Sequence, residues 1–323
     1  MHLVPAIVIG LSLVACGQSS GPNVTTTVQA PVAPPPAAAK NQIGLVMKTL
    51  TNPFFVEMEK GARRAEQELG ITLKVKAAAQ ETSIEQQIQL IEDLIAAKVQ
   101  AIVISPGDSQ RLVSTLKKAA DRGIKIVNID NRLDAETVKQ AGMAPIPFVS
   151  VDNDAGAYKA GKFLAEGVTT PSEAVILEGI RSADNARQRM QGAKRALLEN
   201  RLITLVASET ANWDIEKSYE VTKTVFKKYP NTKLVFASND MMALGAIKYL
   251  QEVGKTTVKV VGFDALGEAV SEIKSGRMTA SVDQQAAEQG YQGVVLANKL
   301  IQGTAVPENT TIETLLISAS TLK

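Results

Sequence analysis

Between Ile43 and Phe263, short runs rich in Val, Ile and Leu alternate with longer amphipathic stretches, and that alternation admits few folds. Ile43 to Met47 is the first apolar run. Asn52-Pro53 then opens a segment with apolar residues at Phe55, Met58, Ala62, Ala65 and Leu69, steps of three and four that predict a helix ended by Gly70. Leu73 to Val75 reads as a second strand, and Ile84, Ile88, Ile91 and Ile95 mark the next helix before the strand Ala101 to Ile104. A helix from about Ser109 to Arg122, the strand Ile124 to Ile129, a looser stretch and the strand Phe148 to Val151 complete a first parallel sheet. A second run follows, with strands at Ala174 to Leu177, Ile203 to Ala207, Leu234 to Ala237 and Val258 to Phe263, separated by helices. A strand reached through a helical crossover pairs in parallel with its predecessor and has helices on both faces. The expected fold is therefore α/β, with two doubly wound parallel-sheet lobes.

The rarest residues exclude most catalytic chemistry. The chain of 323 residues has one histidine, His2, and one cysteine, Cys16, both at its start. The body can therefore hold no His-based general base, no Ser/His/Asp or Cys/His nucleophile, no Cys/His zinc site and no disulfide. Carboxylate or lysine chemistry remains open, and a glycosidase, for example, needs two acids facing across a cleft. A net charge of +2 gives no field suited to nucleic acid.

Leu3 to Ala15 is apolar, too short to span a bilayer and suited to the core of an export signal. It ends in Leu13-Val14-Ala15-Cys16, which resembles the bacterial lipoprotein processing box, although no Lys or Arg precedes the run. Residues 1–16 are thus expected to be a signal peptide that leaves lipid on Cys16. Residues 17–40, rich in Pro, Thr and Ala, form a tether. Such a leader argues against a sugar-sensing transcription regulator, which needs a DNA-binding head.

In open parallel sheets a ligand sits at the carboxyl ends of the strands, where helix N-termini and loop backbones present free donors. Residues just after the strands are Lys48, Asn52, Phe54, Phe55, Asp130, Asn131, Arg187, Trp213, Asn239 and Asp264. Planar polar side chains form paired hydrogen bonds with vicinal hydroxyls, and aromatic faces stack on the apolar face of a sugar ring, so the set points to carbohydrate. Each residue has an ordinary alternative. Phe54 and Phe55 would also fit a helix core, Asp130 and Asp264 could cap helices, and Lys48 could reach for water. Arg187 has Arg181, Arg189 and Arg195 as rivals. Gly254-Lys255-Thr256-Thr257 is not a phosphate loop, because Tyr249 stands where the first glycine belongs and a strand follows.

Several segments resemble the bacterial periplasmic sugar-binding proteins of the ribose and allose type, over nearly all of Ile43 to Ile317. They are Lys48-Thr49-Leu50-Thr51-Asn52-Pro53-Phe54-Phe55, Asn128-Ile129-Asp130, Ala211-Asn212-Trp213-Asp214, Ser238-Asn239-Asp240-Met241-Met242-Ala243-Leu244-Gly245 and Val261-Gly262-Phe263-Asp264. The resemblance implies that Asn52, Asp130, Arg187, Asn239, Asp264 and Gln284 hydrogen-bond sugar hydroxyls while Phe54, Phe55 and Trp213 sandwich the ring. It implies three lobe crossings, near Val151 to Asp152, Asp283 to Gln285, and Thr310. The lobes would then be residues 41–151 with 285–310, and 152–284 with 311–323. Ribose-type members usually carry arginine where this chain has Asn131 and a small hydroxyl residue at Lys48, whereas allose-type members carry the lysine. A hexose pyranose is therefore expected. The expected partners are one monosaccharide, the membrane permease of an ABC transporter, and a membrane through lipid on Cys16. A sensor kinase or chemoreceptor would be the alternative recipient. A monomer without cofactor, metal or enzymatic activity is expected.

Overall fold

The computed structural model describes residues 12, 13, 15–17 and 40–322. Most of the expected signal peptide and tether lies outside the described residues; Cys16 is described and is exposed. Lys40 to Lys323 is one compact unit, within which two six-stranded sheets each carry helices on both faces.

The first sheet is built from β1 (Gln42–Met47), β2 (Thr72–Ala77), β3 (Ala101–Ile104), β4 (Lys125–Ile129) and β5 (Phe148–Val151), joined by α1 (Pro53–Leu69), α2 (Ile84–Ala96), α3 (Val113–Asp121) and α4 (Ala135–Gln140). The second sheet is built from β6 (Ser172–Glu178), β7 (Ile203–Thr210), β8 (Thr232–Ala237), β9 (Lys259–Phe263) and β10 (Ala280–Asp283). Its helices are α5 (Asn153–Ala165), α6 (Asp184–Leu198), α7 (Ile215–Lys228), α8 (Asp240–Glu252) and α9 (Gly267–Lys274). α10 (Ala286–Ile301) then returns to the first lobe, where β11 (Asn309–Ile312) pairs in parallel with β5, and β12 (Leu315–Ser318) pairs antiparallel with β10. The strand orders are β11-β5-β4-β3-β1-β2 and β12-β10-β9-β8-β6-β7.

The continuous apolar runs are explained by burial on both faces. Along β1, Ile43, Leu45 and Met47 pack into one core while Val46 points into another, formed with α2 and α3. α10 lies against α1 because Gly61 and Gly290 carry no side chain; a Cβ on either would fall on a backbone carbonyl, of Ala287 or of Met58.

The structure departs from the sequence reading in five places. α3 begins at Val113 and not Ser109, because Asp108 Oδ1 accepts from the N–H groups of Gln110 and Arg111 and holds a turn there. α4 occupies the stretch expected to be loose; only Val138 of it is buried, so it carries no apolar periodicity. α9, β10, β11 and β12 are further elements of the C-terminal part, and β12 makes the second sheet mixed at its edge. β2 and β7 outrun their apolar cores, as edge strands with one partner do. The third crossing follows Ile312 and not Thr310, since β11 stays paired with β5 through Ile312↔Val151.

Candidate functional site

The carboxyl ends of both sheets meet around a small, tightly lined cavity. The first lobe supplies Lys48, Asn52, Phe54, Phe55, Glu81 and Asp130; the second supplies Asn185, Arg189, Trp213, Asn239, Asp264 and Gln284.

Each side chain is held by the chain's own local chemistry. Asn52 caps α1, its Oδ1 accepting from Phe54 N at 3.1 Å, while its Nδ2 donates to Glu81 Oε1 at 2.9 Å. Pro53 at the first helical position fixes the turn that follows. This places Phe54 and Phe55 edge to face with ring centroids 5.0 Å apart. Asp130 sits at a left-handed φ of 63° after β4, accepts from Ser105 Oγ at 2.6 Å and pairs with Lys48 Nζ at 2.8 Å. Lys48, buried with its partner, is therefore a fixed charge and not a solvent-seeking one.

Across the cavity Arg189, 2% exposed, is the hub of the second lobe. It donates to Asn153 Oδ1 (2.8 Å), Ser238 O (2.9 Å) and Gln284 Oε1 (3.1 Å), lies 3.7 Å from Asp264 Oδ1, and stacks on Phe263. Gln284 Nε2 donates to Asp264 Oδ1 at 2.5 Å. Asn239 caps α8 through Met242 N. Trp213 follows Asn212 in the left-handed region, and its ring rests on Gly179, where no side chain could fit. Among the described residues, Trp213 Nε1 and Asn185 Oδ1 are buried without a hydrogen-bond partner. A donor and an acceptor in need of partners, on two residues lining one cavity, suit a hydroxylated occupant.

Burial sets the electrostatics. Desolvation drives Asp264 well above the usual carboxylate range against the pull of Arg189, and pushes Asp240, directly behind it, up to about 7. Desolvation also lowers Arg189 from its ordinary value, opposed first by Asp264. Glu81, 10% exposed, rises from 4.5 to about 7, chiefly by desolvation, with Lys48 and Asn52 opposing and Asp130 adding to the rise. A carboxyl group whose folded value exceeds its unfolded one keeps its proton longer in the native state. The stability it contributes is complete below pH 4.5 and is lost as pH climbs through about 7. Ligand-free protein is therefore expected to melt higher at about pH 5 than at about pH 8, and Glu81→Gln to reduce the difference, the remainder coming from Asp240 and Asp264. An undiminished slope in the variant would place the titration elsewhere.

Two expected residues are not in the cavity. Arg187 lies on the outer side of α6, 42% exposed, pairing with Asp184 Oδ1 at 3.1 Å and donating to Arg181 O. Arg189 takes its place, because residues two apart on a helix face nearly opposite ways. The sequence held that signal: Asn185, Ala186, Arg189, Gly192, Ala193 and Ala196 form the buried stripe of α6, and Arg187 falls off it. Asn131 is fully buried but turned away, its Nδ2 donating to Pro106 O at 2.9 Å. Glu81 and Asn185 were not anticipated, although Glu81 follows β2 at the same carboxyl edge as the rest.

Residues 43–305 match the family described as periplasmic binding protein domain. The chain is 40% identical over 267 residues to the D-ribose/D-allose-binding protein of Pseudomonas aeruginosa, covering 82% of this chain and 83% of that one. It is 33% identical to the D-allose-binding periplasmic protein of Escherichia coli, over 87% of this chain and 93% of the relative. Among solved structures, an ABC transporter periplasmic solute binding protein from Actinobacillus succinogenes with bound D-allose superposes with a TM-score of 0.82 at 36% identity, over 87% of this chain and 98% of that one. The chain belongs to the periplasmic binding protein family, whose members are solute-binding proteins of transport and not enzymes.

Proposed function

We propose that this chain is the extracytoplasmic receptor of a sugar ABC transporter and that its two lobes close over one monosaccharide, D-allose first and D-ribose second, as a pyranose. The observation that carries the reading is the cavity itself, where aromatic faces of both lobes meet hydrogen-bonding charges and amides of both lobes. The open form cannot make both sets of contacts to one ligand, so the sugar stabilises closure by its differential contacts. Micromolar binding requires about 8 kcal/mol, and hydrogen bonds to charged groups give about 1.5 to 3 each. Asp130, Arg189 and Asp264 supply about 4.5 to 9 kcal/mol before desolvation, and stacking on Phe54, Phe55 and Trp213 adds to it. The two sugars share their configuration at C2, C3 and C4 of the pyranose and differ by the hydroxymethyl group on C5. The relatives named for D-allose and D-ribose support both choices.

Calorimetric titration with D-allose, D-ribose, D-fructose, D-glucose and D-galactose tests the proposal. D-allose is expected to bind with one site per chain and most tightly. Tight binding of D-ribose alone would overturn the hexose assignment, and no saturable heat with any of the five would overturn the function. In the cell the closed form would dock on a membrane permease, held near it as a monomer by lipid on Cys16. A Cys16→Ser chain still recovered with the membrane would remove the anchor from this reading.

A further inference from the structure

Helix α6 carries Asn185 and Arg189 into the cavity, yet it has no cap of its own. Its N-cap residue is Ala183, which has the extended backbone of a cap (φ −89°, ψ 133°) but no side-chain acceptor to offer. α5, α7 and α8 in the same lobe are capped by their own Asp152, Asp214 and Asn239. The missing acceptors come from the other lobe. Ser109 Oγ accepts from Asp184 N at 3.0 Å, and Asn131 Oδ1 accepts from Asn185 N at 3.2 Å. Ser109 N also donates to Ser182 O at 3.3 Å, so one residue of the first lobe bonds on both sides of Ala183.

These two side chains are built into place. Ser109 and Asn131 are buried, Asn131 Nδ2 is fixed by Pro106 O and reaches Ser109 Oγ at 3.4 Å, and Asp108 holds the turn on which Ser109 stands. Neither residue lines the cavity. We infer that Ser109 and Asn131 are positioning residues that cap α6 in trans, so that the lobes gain a helix cap only when they close, whatever sugar lies between them. The inference rests on the closing-lobe reading proposed above. The cap shifts the open–closed equilibrium, and the apparent affinity follows the closed fraction. It also orients the helix whose Asn185 and Arg189 face the ligand.

Losing one capping side chain to alanine corresponds to about a fivefold change in an equilibrium constant. Ser109→Ala and Asn131→Ala are each expected to raise the dissociation constant for D-allose about fivefold, and the double variant about twentyfold, through faster release. The thermal midpoint of ligand-free Ser109→Ala should stay put, because the open form does not use the cap, whereas Asn131→Ala also loses its bond to Pro106 O within the first lobe and should melt lower by that amount. The decisive readout is the closed fraction of ligand-free protein, measured by the distance between paired labels on the two lobes, which should fall in the double variant. An unchanged dissociation constant in Ser109→Ala, or a lowered ligand-free midpoint that accounts for the whole loss, overturns the inference. If the parent chain binds none of the five sugars, the proposed function fails on its own. The cap is then judged by the closed fraction alone, and a parent fraction no larger than that of the double variant contradicts it.

Discussion

Arg189→Met is expected to abolish measurable monosaccharide binding and to lower the thermal midpoint of ligand-free protein by about 10 °C. Arg189 is 2% exposed, and its removal strands Ser238 O and Asn153 Oδ1 without their donor and leaves Gln284 Oε1 with Gln289 Nε2 alone. It also leaves the buried Asp264 and Asp240 carboxyls without their nearest cation. Breaking a buried pair by deleting one partner costs about 3 to 5 kcal/mol. Arg189→Lys keeps the charge but loses the planar fork that serves three acceptors at once, so it should fall between parent and methionine variant. Arg187→Met, by contrast, removes an exposed pair and should change stability by no more than about 0.5 kcal/mol and affinity little. Thermal melts and titration of the three variants check the ordering. Intact binding in Arg189→Met, or its loss in Arg187→Met, would show the helix register to be misassigned.

Trp213→Ala is expected to weaken binding by a hundredfold or more. The indole is buried against Gly179, with the Arg189 guanidinium 5.5 Å and Lys48 Nζ 6.0 Å from its ring. Truncating a buried aromatic costs about 3 to 5 kcal/mol, which exceeds a hundredfold if even most of it is felt by the closed state. Trp213→Phe keeps a stacking face and should retain most of the affinity. Because Trp213 is the chain's single tryptophan, its fluorescence should respond to the sugar in the parent protein, which makes the same residue the probe. A parent protein that binds D-allose with no change in emission would remove Trp213 from the contact.

What was legible in the sequence follows from where burial leaves a trace. The central strands are apolar on both faces, so β1, β3 and β8 stood out as runs. The long helices α1 and α2 showed their stripes. α4 and the strands after Lys274 did not, because one buried Val138 makes no period and β11 is a polar Asn309–Ile312 edge strand placed by its return to β5. The rule that ligands lie beyond the carboxyl ends of strands led to eight of the cavity residues, among them Lys48, Asp130, Trp213 and Asp264, and the resemblance added Gln284. It failed inside α6. There the choice between Arg187 and Arg189 depended on helix phase, and the buried stripe decides it for Arg189. Asn131 follows β4 and obeys the rule, but Pro106 O and Asn185 N draw its side chain to the lobe contact, a tertiary outcome that no local pattern encodes. Glu81 is separated from β2 by a turn, and only folding brings it onto Lys48 and Asn52.

The most direct test is small-angle X-ray scattering of ligand-stripped protein with and without saturating D-allose. Two lobes that clamp one sugar predict a smaller radius of gyration in its presence, reversed on removal and reaching its limit at one sugar per chain. An identical scattering profile across a titration in which calorimetry shows binding would mean that the sugar is held without closure, and would contradict the account.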